Sequence, residues 1–528
     1  MTNAGVTSPP GARPETGLPD APLSAWLGFL AMVLGMFIAV LDIQVVASSL
    51  GELQGGLAAT ADEISWVQTS YLIAEVIVIP LSGVLTRWLS TRVLFVSSCA
   101  GFALASVLCA CAWNLPSMIV FRALQGLLGG AMIPLVFSVP YRLFPKHQQG
   151  QSLVVIGLTA TMAPTLGPVL GGWITETFSW HWIFLVNLPV AAVAIIGVWR
   201  LIDVDTPDRS LRRGFDLPGL VLMALMLGSL QYALEEGPRW DWLEDETIRL
   251  AFLLSSVTGA LFLWRALLYR QPIVDIRAFK DRNFATGCVL SFIFGIGIYT
   301  PVYALPLFLM QVRGYSALQI GSTMIVLGVF QFLSAPLAAN LSKVLDLRAM
   351  LALGFALFSI GLWANSRMNA DAAFAELFWP QAIRGLALML CFVPINTLAL
   401  GTLPPEQLAN ASGLYNLMRN LGGAMGIAAV NTVLDNRFYH HLSRLTDSLN
   451  TGRAELTALM NQMVEYLASV RPADTAHATG TKLLADLVTR EGTVMAYNDL
   501  FWLMSLVFAA AVVLVPLVRK PSADPPET

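Results

Sequence analysis

Glu75, in Tyr71-Leu72-Ile73-Ala74-Glu75-Val76, is an acid set near the middle of a long apolar run. At about 1.5 Å per helical residue it lies roughly 16 Å from one end of that run. Asp42, in Leu41-Asp42, and Arg122, in Phe121-Arg122-Ala123-Leu124-Gln125-Gly126, stand in two other apolar runs. An ionisable group inside hydrocarbon is costly, so each needs a partner or a task. A buried acid suits one chemistry, the uptake and release of a proton as conformation or ligand changes around it. A neighbouring cation sets the affinity of that acid. Asp42 and Arg122 fall at similar depths, about one turn from the ends of their runs. They are expected to pair with each other, or Arg122 to hold carbonyls of the first run. Together with Glu75 they form the candidate set for coupling protons to a substrate.

The elements that must position these groups are unusual. Ala163-Pro164-Thr165-Leu166-Gly167-Pro168-Val169-Leu170-Gly171-Gly172-Trp173 would break a soluble helix. In a membrane, small residues let helices approach closely and neighbours re-satisfy the freed backbone groups. Gly126, Gly167, Pro168, Gly171 and Gly172 are therefore assigned a conformational role. Gln44, Gln68, Gln125, Gln231, Gln331, Asn396, Asn416 and Asn431 are candidates to line a cavity, with hydrogen bonds between helices expected for most of them.

Of the 528 residues 56% are hydrophobic and only 12% charged, with a mean hydropathy of +0.66. Soluble domains carry roughly 25% charged residues. The expected class is an all-α polytopic membrane protein. Runs of about 20 apolar residues fall at 25–46, 64–85, 93–112, 116–139, 151–175, 181–201, 217–235, 249–268, 285–310, 318–340, 349–366, 377–402, 409–434 and 498–518, which makes fourteen spans. Residues 1–23 read as a polar tail, and no cleavable leader is visible. The net charge of -3 is uninformative here, but no basic cluster of the needed density appears, so nucleic acid is not an expected partner. The five cysteines lie in apolar segments and read as small buried hydrophobes. No phosphate-binding loop, catalytic triad or metal-ligand spacing is present, so neither an enzyme nor an ATP-driven pump is expected.

Lys and Arg orient the spans. With both termini inside, the short inner segments hold eighteen and the short outer loops four, namely Arg239, Arg249, Arg313 and Arg367. The acidic loop 235–246 and Trp180-His181-Trp182 then face outside, where interfacial anchoring is the favoured role. The chain also repeats. Arg122 in span 4 is matched by Arg384 in span 12, in Gln381-Ala382-Ile383-Arg384-Gly385-Leu386, and the glycines of span 5 by Gly422-Gly423-Ala424-Met425-Gly426 in span 13. Arg384 and Arg419 are thus second-half counterparts of the first-half charges. The expected organisation is a six-helix bundle over 24–201, a basic linker with two inserted helices over 202–284, and a second bundle over 285–518. A long outer loop spans 435–497 and a short tail 519–528. Two related halves about a central cavity are a transporter architecture.

At these residues the chain resembles the major facilitator superfamily, in its fourteen-helix drug/proton antiporter branch of the EmrB/QacA type. The resemblance rests on Leu41-Asp42, the arginine motif at 122–126, and Gly167-Pro168-Val169-Leu170-Gly171-Gly172. It extends to Trp182-Ile183-Phe184-Leu185-Val186-Asn187-Leu188-Pro189, to Pro272-Ile273-Val274-Asp275 with the following Phe279-Lys280, and to the loop before span 14. The loop Gly83-Val84-Leu85-Thr86-Arg87-Trp88-Leu89-Ser90-Thr91-Arg92 lacks the acid and second glycine of the superfamily pattern, so that loop's charge relay does not carry over. The resemblance implies a major facilitator fold and a proton-coupled exporter of toxic amphiphiles, with the proton gradient in place of a cofactor. It further implies the inner-membrane subunit of a tripartite pump, working with a periplasmic adaptor of the EmrA/HlyD type and a TolC-type outer-membrane channel. Export of one endogenous metabolite, such as a siderophore or fatty acid, is the alternative, and import a more distant one.

Overall fold

The computed structural model describes residues 20–519 apart from 61–62, 209–214, 450–453 and 469–472. The expected tails at 1–19 and 520–528 lie outside the described residues. The first half runs α1 (Leu23–Ser48), α2 (Leu50–Leu57), α3 (Trp66–Leu89), α4 (Thr91–Ala110), α5 (Leu115–Gly129), α6 (Met132–Ser138), α7 (Pro140–Leu143), α8 (Lys146–Thr177), α9 (Trp182–Leu185) and α10 (Asn187–Leu201). The pair α11 (Leu217–Glu236) and α12 (Glu246–Leu268) follows. The second half comprises α13 (Arg282–Arg313), α14 (Ala317–Val344), α15 (Leu347–Asn365), α16 (Phe374–Leu400), α17 (Pro405–Leu449), α18 (Ala454–Ala468) and α19 (Ala473–Leu514).

Short polar caps set the breaks between crossings. Asn114 and Ser117 form a reciprocal capping box at the start of α5, and Ser316 and Gln319 do the same for α14. Asp216, Asp245, Asp281 and Asp346 accept the first free N–H groups of α11, α12, α13 and α15.

Among the described residues twelve helices are long and apolar enough to cross a membrane, and thirteen if the two arms of α8 count as one crossing. Those arms, Lys146–Pro164 and Leu166–Thr177, meet at 46°, at the proline expected to disturb the run. The remaining expected span, 409–434, lies in α17. That helix carries Asn410, Asn416, Arg419, Asn420 and Asn431, and is buried between α13, α3 and α19 rather than against lipid. Residues 435–497 are largely helical among those described: α17 continues to Leu449, and α18 and the start of α19 return the chain.

The repeat seen in the sequence reappears as matched close approaches. A Cβ on Gly126 of α5 would strike the Tyr71 carbonyl of α3, and one on Gly385 of α16 would strike the Leu327 carbonyl of α14. Gly167 and Gly171 of α8 lie against Gln44 and Val45 of α1, as Gly422 and Gly426 of α17 lie against Phe292 and Ile296 of α13. At Gly126, Gly385 and Gly422 the nearest atom is a backbone carbonyl oxygen, which cannot move aside, so only glycine fits there; at Gly167, Gly171 and Gly426 side-chain atoms of Gln44, Ser48 and Thr300 come closest. Gly126→Ala is expected to lower stability by about 1–3 kcal/mol through overpacking. Thermal unfolding of the purified protein checks this, and an unchanged midpoint would contradict it.

Four of the five cysteines are buried as expected, whereas Cys111 is exposed at the end of α4. Cys111 is the residue just past the last turn, while Cys109 and Ala110 within that turn stay buried.

Candidate functional site

The two halves meet tightly at the end of the bundle that carries the described termini. Ser412 of α17 donates to the Pro134 carbonyl of α6 at 2.6 Å, and Tyr141 donates to the Asn396 carbonyl of α16 at 3.0 Å. Gly83 and Gly413 let α3 and α17 touch through their backbones. Towards the other end the halves part around a cavity of about 450 Å³. Its wall includes Gln44 of α1, Gln68 and Glu75 of α3, Tyr299 and Tyr303 of α13, and Asn431 of α17.

Glu75 sits at the deep end of that cavity, 2% exposed, and its Oε1 has no hydrogen-bond partner. The charged side chains whose fields reach it are Arg122 and Asp42 from its own half and Arg419 from the other. A lone carboxylate in such a place must be met by a proton or by the positive group of a ligand.

Asp42 and Arg122 do pair, but inside the first bundle and away from the cavity. Arg122 Nη1 is 2.5 Å from Asp42 Oδ2 and donates to Gln125 Oε1 at 2.6 Å, with both charged side chains fully buried. Its Nε donates to the Val67 carbonyl of α3 at 3.1 Å, so the backbone group it holds belongs to the second crossing and not the first. Asp42 Oδ1 also accepts from Gln125 at 3.1 Å and from Asn187 at 2.8 Å, and Gln125 donates to Ser106 at 2.9 Å. The guanidinium lies 4.3 Å from the Tyr71 ring centroid. One ion pair thus fastens α1, α3, α4, α5 and α10.

The counterparts differ in chemistry. Arg384 is buried, donates to Gln381 at 2.8 Å and faces Phe358, with no carboxylate paired to it among the described residues. Arg419 donates to Asn416 and stacks 4.5 Å from the Phe137 ring centroid of the first half, leaving its buried Nη1 without a partner. Of the polar candidates, Gln44, Gln68, Gln231 and Asn431 line the cavity. Gln125 and Gln331 bond between helices, Gln331 to Thr161 and the Gly157 carbonyl of α8, while Asn396 and Asn416 bond within their own helices.

Segment 235–246, expected as an interfacial loop, turns its first residues inwards. α11 packs against α3 and α17 across the mouth of the cavity, with Trp66 stacked on Tyr232 at 5.5 Å. Glu235, Glu236 and Arg239 consequently line the opening. Glu236 accepts from Thr69 at 3.2 Å and lies 3.7 Å from Arg239. α12 instead presents Leu250, Leu253, Leu254, Val257 and Leu261 outwards, as a lipid-facing helix would. Residue type does not separate the two inserted helices, since acids stand both at the end of α11 and at the start of α12.

Two helical bundles, each apolar outside and closing on a cavity with a buried carboxylate, define a membrane transport protein. The family profile of the Major Facilitator Superfamily matches residues 32–427, and the chain belongs to that superfamily, in its EmrB-like group. It is 39% identical to the colistin resistance protein EmrB of Acinetobacter baumannii, over 92% of this chain and 94% of that protein. It is 31% identical to the multidrug export protein EmrB of Escherichia coli K12, over 93% and 95%. It is 30% identical to the fatty acid resistance protein FarB of Neisseria gonorrhoeae, over 94% and 96%. Among solved structures, the human organic anion transporter MFSD10 (TETRAN) matches with a TM-score of 0.57 at 14% identity, covering 93% of this chain and 99% of that one. The proton:xylose symporter XylE matches at 0.53 and 14%, covering 92% and 95%. At that identity the likeness concerns the fold.

Proposed function

We propose that this protein is a proton-coupled exporter of amphiphilic toxic compounds, working as the inner-membrane permease of a tripartite efflux system. The observation that carries the reading is the cavity between the two halves, with unpartnered Glu75 at its base. The excess of Lys and Arg at the end holding the termini supports a cytoplasmic position for that end, so the cavity is open to the far side, as a releasing state requires. Export is supported by relatives named for multidrug export and for resistance to colistin. Return of a proton to Glu75 from outside would let substrate leave, and its loss inside would reload the site. The helical segment from the end of α17 through α18 into α19 is the surface offered to a periplasmic adaptor, itself joined to an outer-membrane channel.

A second reading, export of a single endogenous amphiphile, is favoured by the relative named for fatty acid resistance. Everted membrane vesicles separate these from import. With the vesicle interior acidified by respiration, an exported compound is expected to accumulate inside and to draw protons out, and collapse of the gradient should stop it. Accumulation that ignores the gradient, or that appears only in whole cells with an inward gradient, would contradict the proposal.

A further inference from the structure

The central cavity does not end at its mouth. A second cleft of about 460 Å³ adjoins it, and the two share Glu235, Pro238, Arg239, Tyr303, Leu307 and Asn431. The cleft runs on between α13, α17 and α19, past Asp435, Thr493 and Tyr497. Glu235, carried by the inserted helix α11, therefore stands where one chamber passes into the other.

The charges around this junction are uneven. The cavity wall holds Glu75, Glu235 and Glu236, and among the described residues lining it Arg239 is the one basic group. Arg239 is engaged with Glu236 at 3.7 Å and Ser65 at 3.2 Å. Glu235 has no ion pair among the described residues. Its Oε1 accepts from Gln231 at 3.0 Å, and the charged neighbour acting on it is Glu236, another acid. Deeper in the same cavity, Glu75 presents a buried oxygen with no partner at all. The bond between Glu236 and Thr69 fixes the level of the α11 end against α3. Glu75 lies six residues beyond Thr69, about 9 Å further in at 1.5 Å per residue. The passage thus has walls of mixed apolar side chains and uncharged amides and hydroxyls, with Glu235 and Glu75 stepped along it and neither ion-paired to a cation among the described residues. A cavity of that kind favours a ligand with an apolar body and a positive group.

We propose that Glu235 of the inserted helix is a second ligand-binding carboxylate, which takes the cationic group of an amphiphilic organic cation as it moves from the central cavity into the cleft beside α19. The proposal rests on the cavity being a substrate passage, and it gives the inserted pair a role in selecting what passes. Glu236 holds α11 in place through Thr69 and Arg239, and Glu235 meets the ligand.

Equilibrium binding to the full-length protein in lipid nanodiscs tests this, with tetraphenylphosphonium as the cation and triphenylphosphine oxide as a neutral compound of similar shape. Glu235→Gln is expected to weaken tetraphenylphosphonium binding by about tenfold or more while changing that of the oxide by less than about twofold. Glu235→Asp, which keeps the charge, should recover most of the affinity. Three results would overturn the proposal: tetraphenylphosphonium binding unchanged in Glu235→Gln, an equal loss for cation and neutral compound, or no binding of the cation by the unaltered protein. Binding in a nanodisc needs no proton gradient, so failure of the export reading and failure of this one are seen in different experiments.

Discussion

Arg122→Ala is expected to cost about 3–5 kcal/mol of stability, because it leaves the Asp42 carboxylate buried without its cation. The loss falls on several contacts at once. Asp42 loses its ion pair, Gln125 loses a donor to its Oε1, and the Val67 carbonyl loses the Nε bond that ties α3 to α5. Arg122→Lys is expected to rescue only partly. A lysine keeps the charge but has no planar fork to reach Asp42, Gln125 and the Val67 carbonyl together. The double variant Asp42→Asn, Arg122→Gln removes both charges and should destabilise less than the sum of the single changes, as coupled partners do. Thermal unfolding of the purified variants supplies the cycle. Strict additivity, or an Arg122→Ala midpoint equal to that of the unaltered protein, would mean that the pair does not hold the first bundle together.

Glu75→Gln is expected to reduce gradient-driven export to near background while leaving the fold intact. The two side chains have nearly the same shape, and Glu75 Oε1 makes no hydrogen bond whose loss would unfold the protein. What the amide removes is the exchangeable proton and the negative charge. Its neighbours make the position sensitive to rocking of the halves, since Arg122 and Asp42 are fixed in one bundle and Arg419 belongs to the other. A movement that brings α17 nearer or carries it off changes the field at Glu75 without changing anything in its own helix. Everted-vesicle transport together with a melting curve checks both halves of the expectation. Full coupled export by Glu75→Gln would remove this residue from the mechanism.

Much of the scaffold was legible because hydrocarbon imposes simple rules. Apolar length gave the crossings, and the glycines at 126, 167 and 171 marked close approaches that the structure realises against Tyr71, Gln44 and Val45. The Asp42–Arg122 pair followed from equal depth in two spans. Its other members did not, since Ser106 and Asn187 are ordinary polar residues whose meeting depends on how α4 and α10 pack. Asn187 lies inside the motif Trp182-Ile183-Phe184-Leu185-Val186-Asn187-Leu188-Pro189 at the start of span 6, which marks the residue without naming its partner. The inward turn of Glu235 and Glu236 was hidden for a different reason. Which inserted helix covers the cavity and which meets lipid is decided by tertiary packing, and acids just past an apolar run look the same in either case. The continuation of α17 to Leu449 shows in the sequence only as helix-like patches in a polar segment, because the run-length of apolar residues that marks a crossing does not mark a polar helix beyond it.

The most direct test follows protons at substrate binding. A compound shown in everted vesicles to be exported is added to the purified full-length protein in weakly buffered detergent solution, with a pH-sensitive dye as readout. The unaltered protein is expected to release on the order of one proton per ligand bound, and Glu75→Gln to bind the same compound with no release. Equal proton release from both proteins would contradict the account, because the exchange of proton for substrate would then take place at some other group.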